Sequence, residues 1–326
     1  MSNLIDLKLA RNIISENGIK SSEIVPLKTG KFNSTFLIRV GDSLFHNLTE
    51  NKLILRIAPS DKEGFIFYEK NMMAQEPIIH EIVNDNTSIP VPEIYLYDDS
   101  REVVNRDYLL MEYIEGKALS EIDISADAYK KIMEKMGVYL SQLHENCRGN
   151  NYGYLGPHNC MEPSRNWKDA FEIMWNKLID NIEDCGVYSE IDAEMARSIL
   201  NDKLNLFEYR KKASLLHMDI WQQNILVDTF SEEIKGIIDW DRSLWGDPGI
   251  EFSVLDYCGF NNKYFWQGYD SDLSVRFDNT IRNIFYKLYE IQKYLIIWKL
   301  REKNREKEIT KYKNYSLEKI DEIKEM

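Results

Sequence analysis

The chain has 326 residues, with 41 Lys and Arg against 54 Asp and Glu, a formal net charge of −13. A nucleic-acid binder needs a basic excess to meet phosphates, so this balance argues against that class and leaves room for cationic partners. An apolar share of 44% with 12% aromatics argues against general disorder, and the length exceeds one ordinary core, which predicts two lobes.

Ser2–Asn17 reads as a short amphipathic helix stopped by Gly18, and the mixed charges from Met1 to Ile14 leave no apolar signal-peptide core. Strand patterns follow at Ile24–Leu27, Ser34–Val40 and Lys52–Ile57. Glu63–Asn84 reads as one helix or two, broken at Pro77. The run Ile89-Pro-Val-Pro is extended because each proline restricts the residue before it. Tyr95–Tyr97 and Tyr108–Tyr113 complete a mostly antiparallel sheet.

After Glu115-Gly116 the pattern turns helical, with helices expected at Ala126–Asn146, Trp167–Glu183 and Asp192–Lys212. A strand-rich island occupies Ser214–Asp241, and long helices return over Asp278–Arg301. The tail, Lys299–Met326, mixes both charges and reads as a solvated helix with a fraying end. Tyr294–Trp298 is too short to cross a bilayer, and the four cysteines form no C-x-x-C pair. The expectation is a cytoplasmic protein that uses no membrane, disulfide framework or structural zinc; nothing in the sequence signals an oligomeric state.

The island carries the chemistry. His217-Met-Asp219 is followed after four residues by Asn224, and fifteen residues beyond Asn224 the apolar run Ile237-Ile238 ends in Asp239-Trp-Asp241. Antiparallel pairing of Ile225–Val227 with the run at Ile237 would gather these groups. A hydroxyl attacking a phosphoryl group needs a carboxylate to orient it and take its proton, which suits Asp219. Magnesium needs hard oxygen ligands, which suits Asn224 and Asp239. Loop turns and helix caps are the commoner use of single Asp and Asn residues, but the spacing of the whole set matches a kinase catalytic loop and metal aspartate.

This set resembles the aminoglycoside phosphotransferase and choline-kinase-like family of the protein-kinase-like superfamily, over roughly Leu27–Tyr257. The resemblance implies an α+β, two-lobed fold: an N-terminal antiparallel sheet lobe with one main helix (1–111), a hinge (112–117), and a larger, mostly helical catalytic and substrate-binding lobe (118–326). It implies Asp219 as catalytic base and Asn224 and Asp239 as Mg²⁺ ligands. Leu27–Ser34 resembles the short nucleotide loop, with Gly30 and Ser34 at the phosphates. Arg56 stands at the usual strand lysine, and a guanidinium still offers bidentate phosphate geometry. Its partner on the following helix is expected to be Glu76, with Glu69 the rival. Tyr108–Gly116 resembles the hinge, where the main chain of Glu112 and Ile114 would hold the base and Met111 would lie behind it. Gly246-Asp247-Pro248 follows the metal loop as a helix start, and Asp241 and Glu251 are candidates beside the substrate.

Met218 stands where a regulated protein kinase carries Arg, and no A-P-E segment follows, so a small-molecule kinase is expected. The implied reaction moves the γ-phosphoryl of ATP or GTP, with Mg²⁺, to a hydroxyl of an aminoglycoside-like cationic substrate. The alternatives are choline, ethanolamine or another metabolite alcohol, and, from another class, a nucleotide-binding pseudokinase acting as an interaction module. Glu183, Asp184, Glu190, Asp192 and Glu194 form an acidic group that suits a polyamine-like ligand or a solvated helix face. Trp167, Trp175, Trp245 and Trp266 have core packing as their default.

Overall fold

The first amphipathic pattern forms helix α1 (Ser2–Glu16), ended by Gly18 at φ 67°, the left-handed conformation that glycine adopts without strain. Ala10, Ile13 and Ile14 bury against the sheet that follows. Strands β1 (Ser21–Leu27), β2 (Ser34–Val40) and β3 (Lys52–Ile57) come next, then helix α2 (Glu76–Asn86) and strands β4 (Ile94–Asp98) and β5 (Tyr108–Glu112). The five strands form an antiparallel sheet in the order β1-β2-β3-β5-β4. Pro26 lies on β1, an edge strand, where its missing N–H leaves no gap in the ladder. On β3, Leu53, Leu55 and Ile57 join the core under α1, so the strand's period of two sends Ile54 and Arg56 to the opposite face.

The computed structural model describes residues 2–27, 32–41, 51–60, 64–209, 211–269, 281–302 and 304–326. They fall into two compact units. The first holds Met1–Lys62, Asn71–Ile132 and Gln222–Asp241; the second holds Glu63–Lys70, Met133–Trp221 and Arg242–Met326. In the first unit a small sheet pairs β6 (Lys117–Ala118) with β9 (Ile225–Val227) and β9 with β10 (Ile234–Ile237), the antiparallel pairing expected from the island.

Helix α3 (Ala126–Asn146) leads into the second unit, where β8 (Ala213–Leu216) sits between β7 (Arg148–Gly149) and β11 (Leu244–Gly246). Around them lie α4 (Trp167–Asp184), α5 (Glu190–Lys203), α6 (Pro248–Tyr257), α7 (Lys263–Tyr269), α8 (Ile281–Leu300) and α9 (Glu306–Glu325). Their core is aromatic: Trp167, Trp175, Phe171, Phe207, Phe285 and Tyr286 are buried together, with the Phe171 and Phe207 rings stacked at 4.5 Å. Helix α7 crosses α3 at two glycines, because a Cβ at Gly137 or Gly268 would overlap the partner helix's backbone. Among the described residues, no helix is long and apolar enough to cross a membrane.

Three elements differ from expectation. The predicted helix break at Pro77 is instead a helix start: α2 begins at Glu76 and Pro77 stands in its first turn, where no N–H is needed. Helix α5 begins at a Ser189–Asp192 capping box and ends at Lys203, well short of Lys212. The tail is more than a solvated helix. In α9, Ser316, Ile320 and Ile323 are buried on one face, and the helix packs on α8 and α5.

Candidate active site

Arg56 is buried on the face of β3 opposite the core, and a guanidinium there needs anionic partners. Three carboxylates supply them. Arg56 donates to Glu76 on α2, to Asp239 at 2.6 Å and to Asp241 at 2.9 Å. Burial alone would lower the arginine's pKa, but these carboxylates raise it. Glu69 pairs instead with Arg301 in the second unit, and α2 brings Glu76, not Glu69, to Arg56.

The carboxylates outnumber the charge facing them. Burial pushes Glu76 up to about 7 against the pull of Arg56, and burial with Asp239 nearby drives Asp241 well above the carboxylate range. Glu76, Asp239 and Asp241 each present an oxygen within 4.8 Å of the others. Glu76 Oε2 is buried without a hydrogen-bond partner among the described residues. An excess of buried carboxylate with an orphaned oxygen fits a divalent cation, which takes hard oxygen ligands.

Local backbone brings the motif residues there. Asn224 closes a turn of 3₁₀ helix, and its carbonyl accepts from the Ile238 amide at 3.0 Å, which ties it to the start of the Asp239 loop. Asp239 itself is left-handed at φ 70°. Asn33 donates to Asp241 at 3.0 Å, and the Gln75 side chain donates to the Asp241 carbonyl. Sequence reasoning missed both residues. Asn33 had the available signal of lying inside the nucleotide-loop segment; Gln75, one residue before the helix, had none.

The remaining predicted residues of the first unit are placed as follows. Gly30 lies outside the described residues. The Ser34 hydroxyl donates to Asp6 of α1 at 2.8 Å. The Glu112 amide donates to the Glu93 carbonyl at 2.8 Å, so that amide is engaged within the protein. Ile114 packs flat over β10 at Gly236, where any Cβ would strike its side chain. Met111 is buried with Met73 and Leu109.

In the second unit, β8 ends at Leu216 and delivers His217, Met218 and Asp219. The Asp219 amide donates to His217 Nδ1 at 3.2 Å, and its side chain is 33% exposed. Glu251 is fully buried beneath this loop. Its Oε1 accepts from the Met218 amide at 2.7 Å and its Oε2 from His144 Nε2 at 2.6 Å; His144 Nδ1 meets the Tyr269 hydroxyl at 2.6 Å. Asp241 and Glu251, expected beside the substrate, are both buried on internal partners, Asp241 on Arg56 and Asn33, Glu251 on the Met218 amide and His144. His144 carries that support one step further, from Glu251 to the Tyr269 hydroxyl. The acidic group on α4 and α5 is engaged in part: Arg197 meets Glu183, and Asp192 caps α5 and meets Lys313.

The sequence pattern of the phosphotransferase enzyme family matches residues 23–260, which spans both motif loops and the helix after them. The chain belongs to this family. It is a phosphotransfer enzyme, a small-molecule kinase with a protein-kinase-like fold. A probable ketoamine kinase of Vibrio parahaemolyticus is 24% identical over 282 residues, 83% of this chain and 85% of its own. Two solved structures share the fold. One is a provisionally named fructosamine-3-kinase of Haemophilus somnus (TM-score 0.66, 16% identity, 96% of this chain and 95% of that one). The other is a thermostable mutant of the aminoglycoside phosphotransferase APH(4)-Ia in ternary complex with AMP-PNP and hygromycin B (TM-score 0.60, 17% identity, 96% of each chain).

Proposed function

We propose that this phosphotransferase moves the γ-phosphoryl group of ATP or GTP to a hydroxyl of an amine-bearing sugar, an aminoglycoside or a ketoamine. The observation that carries the reading is the junction of Arg56, Glu76, Asp239 and Asp241, a charged site of the kind that phosphates and a divalent cation require. The ketoamine arm has its own support in the Vibrio relative, whose similarity covers most of both chains. The AMP-PNP and hygromycin B held by the APH(4)-Ia structure support a nucleotide and an amine-bearing sugar as the two substrates. The net charge of −13 suits a cationic acceptor.

In this reading Asn224 and Asp239 hold Mg²⁺, with Glu76 and Asp241 adding charge behind them; the ion would neutralise charge developing on the phosphates. Arg56 is locked by Glu76 and presents its charge toward the phosphates. The hinge at 112–117 joins the two lobes and holds the base through the Glu112 carbonyl and the Ile114 amide, since the Glu112 amide is already given to Glu93. Asp219 orients the acceptor hydroxyl and takes its proton as the oxygen bonds to phosphorus and the bond to the β-phosphate oxygen breaks.

An ADP-release assay tests this with Mg·ATP and Mg·GTP against hygromycin B, kanamycin, fructoselysine, choline and ethanolamine. Turnover with an amine-bearing sugar is expected, with loss of most of it in Asp219→Asn while nucleotide binding persists. Turnover restricted to choline or ethanolamine would overturn the substrate class, and full activity in Asp219→Asn would overturn the mechanism.

A further inference from the structure

The residue before Asp219 is held in an uncommon conformation. Met218 has φ 64°, which costs a side-chain-bearing residue about 1–2 kcal/mol unless its surroundings enforce it. Its amide is fixed by Glu251, as described above. Its carbonyl is fixed from the other side: Arg242 Nη1 donates to Met218 O at 2.8 Å and lies 3.7 Å from Asp219 Oδ1.

Arg242 is itself immobilised. Glu290 of α8 accepts from Nη2 at 2.7 Å and from Nη1 at 3.4 Å, and Lys293 also donates to Glu290. Tyr68 lays its ring over the guanidinium at 5.4 Å and stacks on Tyr154 at 4.8 Å. Burial would push Glu290 up, but Arg242 and Lys293 bring it below the ordinary carboxylate range. An arginine buried only for an ion pair needs no third partner, and such pairs contribute little to stability. Here the fork reaches past Glu290 to a loop carbonyl and toward Asp219. A lysine has one nitrogen and cannot span both, whereas a planar fork can.

We propose that Arg242 is a positioning residue for phosphoryl transfer, one jaw of a clamp whose other jaw is Glu251, and that it holds Met218 left-handed so that the Asp219 carboxylate faces the acceptor hydroxyl. The proposal rests on the reading of Asp219 as proton acceptor. Arg242 acts through the loop and leaves ground-state binding alone, so its loss should appear in kcat and not in KM.

The test uses the full chain, with Arg242→Gln and Arg242→Lys each made alone and Arg242→Gln also in an Asp219→Asn background. Hydrogen exchange of the peptide over 214–222 reads the clamp without any substrate, and ADP release with fructoselysine and hygromycin B reads turnover. Lys293 still meets Glu290 in these variants, so the buried carboxylate is not orphaned; should Arg242→Gln fail to fold, Arg242→Lys gives the result. Expected are faster exchange at 214–222 with α4 unchanged, and a kcat loss of about 10- to 100-fold, the scale of an ångström of misplacement. KM should stay within about twofold, and Arg242→Gln should add little to the loss in Asp219→Asn. Unchanged exchange and kcat, full kcat in Arg242→Lys, or an equal further loss in the Asp219→Asn background would each overturn it. If Asp219→Asn itself keeps full turnover, the base reading fails, and the exchange result still decides whether the clamp exists.

Discussion

Glu251→Gln isolates the other jaw of the clamp. The carboxylate accepts from two donors, the Met218 amide and His144 Nε2, and is fully buried. Glutamine keeps one acceptor oxygen, so the amide bond survives as a neutral one. Its NH₂ then faces His144 Nε2, donor against donor, until the imidazole shifts its proton to Nδ1; that in turn leaves the Tyr269 hydroxyl proton without its present acceptor. Two charge-assisted bonds, each about 1.5–3 kcal/mol, fall toward the neutral value of about 1 kcal/mol, and one buried hydroxyl loses a partner. The expected cost is about 2–4 kcal/mol. Urea unfolding followed by tryptophan emission reads it, since Trp167 and Trp175 are buried in the same unit. The acid limb should change as well. Burial would raise Glu251, but His144 and the Met218 amide bring it below the ordinary value. That stability is therefore present above the unfolded glutamate pKa and lost as pH falls through the lower folded one, so Glu251→Gln should show a shallower decline in acid. A variant within about 0.5 kcal/mol of the parent, with an unchanged acid limb, would refute the reasoning.

Two further perturbations probe the packing of the second unit. Gly268→Ala would place a methyl inside the van der Waals radius of the Glu134 carbonyl, forcing α7 off α3; a loss of about 3 kcal/mol or more is expected in thermal unfolding, and an unshifted Tm would refute the contact. His158 is buried with neither ring nitrogen partnered among the described residues, and burial lowers it to about 4. Its stability contribution is present above the unfolded value near 6.5 and lost as pH falls toward 4, about 2 kcal/mol by pH 5. His158→Leu should remove that part of the pH 8 to pH 5 difference in urea midpoint, and an unchanged difference would count against it.

Local patterns made much of this legible. The alternation of Phe36, Ile38 and Val40 reads directly as a strand with one buried face, and the Asp219, Asn224 and Asp239 spacing reads as phosphoryl-transfer chemistry. What stayed hidden depends on residues far apart in the chain. Spacing favours Glu76 over Glu69, but what occupies the rival is Arg301, 232 positions from Glu69, which nothing near either glutamate signals. Arg242 reads as one more charge after Asp241, and its meaning depends on Glu290 and on a backbone angle at Met218 that no local pattern announces. Pro77 misled because the same residue ends a helix from inside and starts one from its first turn. In the tail, abundant charges masked a buried stripe at helical spacing.

The order in which the two units are threaded also bears on how the enzyme is made. The chain crosses between them five times, at 62/63, 70/71, 132/133, 221/222 and 241/242. A ribosome that has released only the first 132 residues has supplied the five-stranded sheet but not β9, β10, Asn224 or Asp239. The first unit therefore waits, with β6 alone of its small sheet, until Asp241 has been made; of the second unit's helices, α3 to α5 precede that point and α6 to α9 follow it. Neither unit corresponds to a cleavable fragment, and the cluster of Arg56, Glu76, Asp239 and Asp241 becomes complete only in the last third of translation.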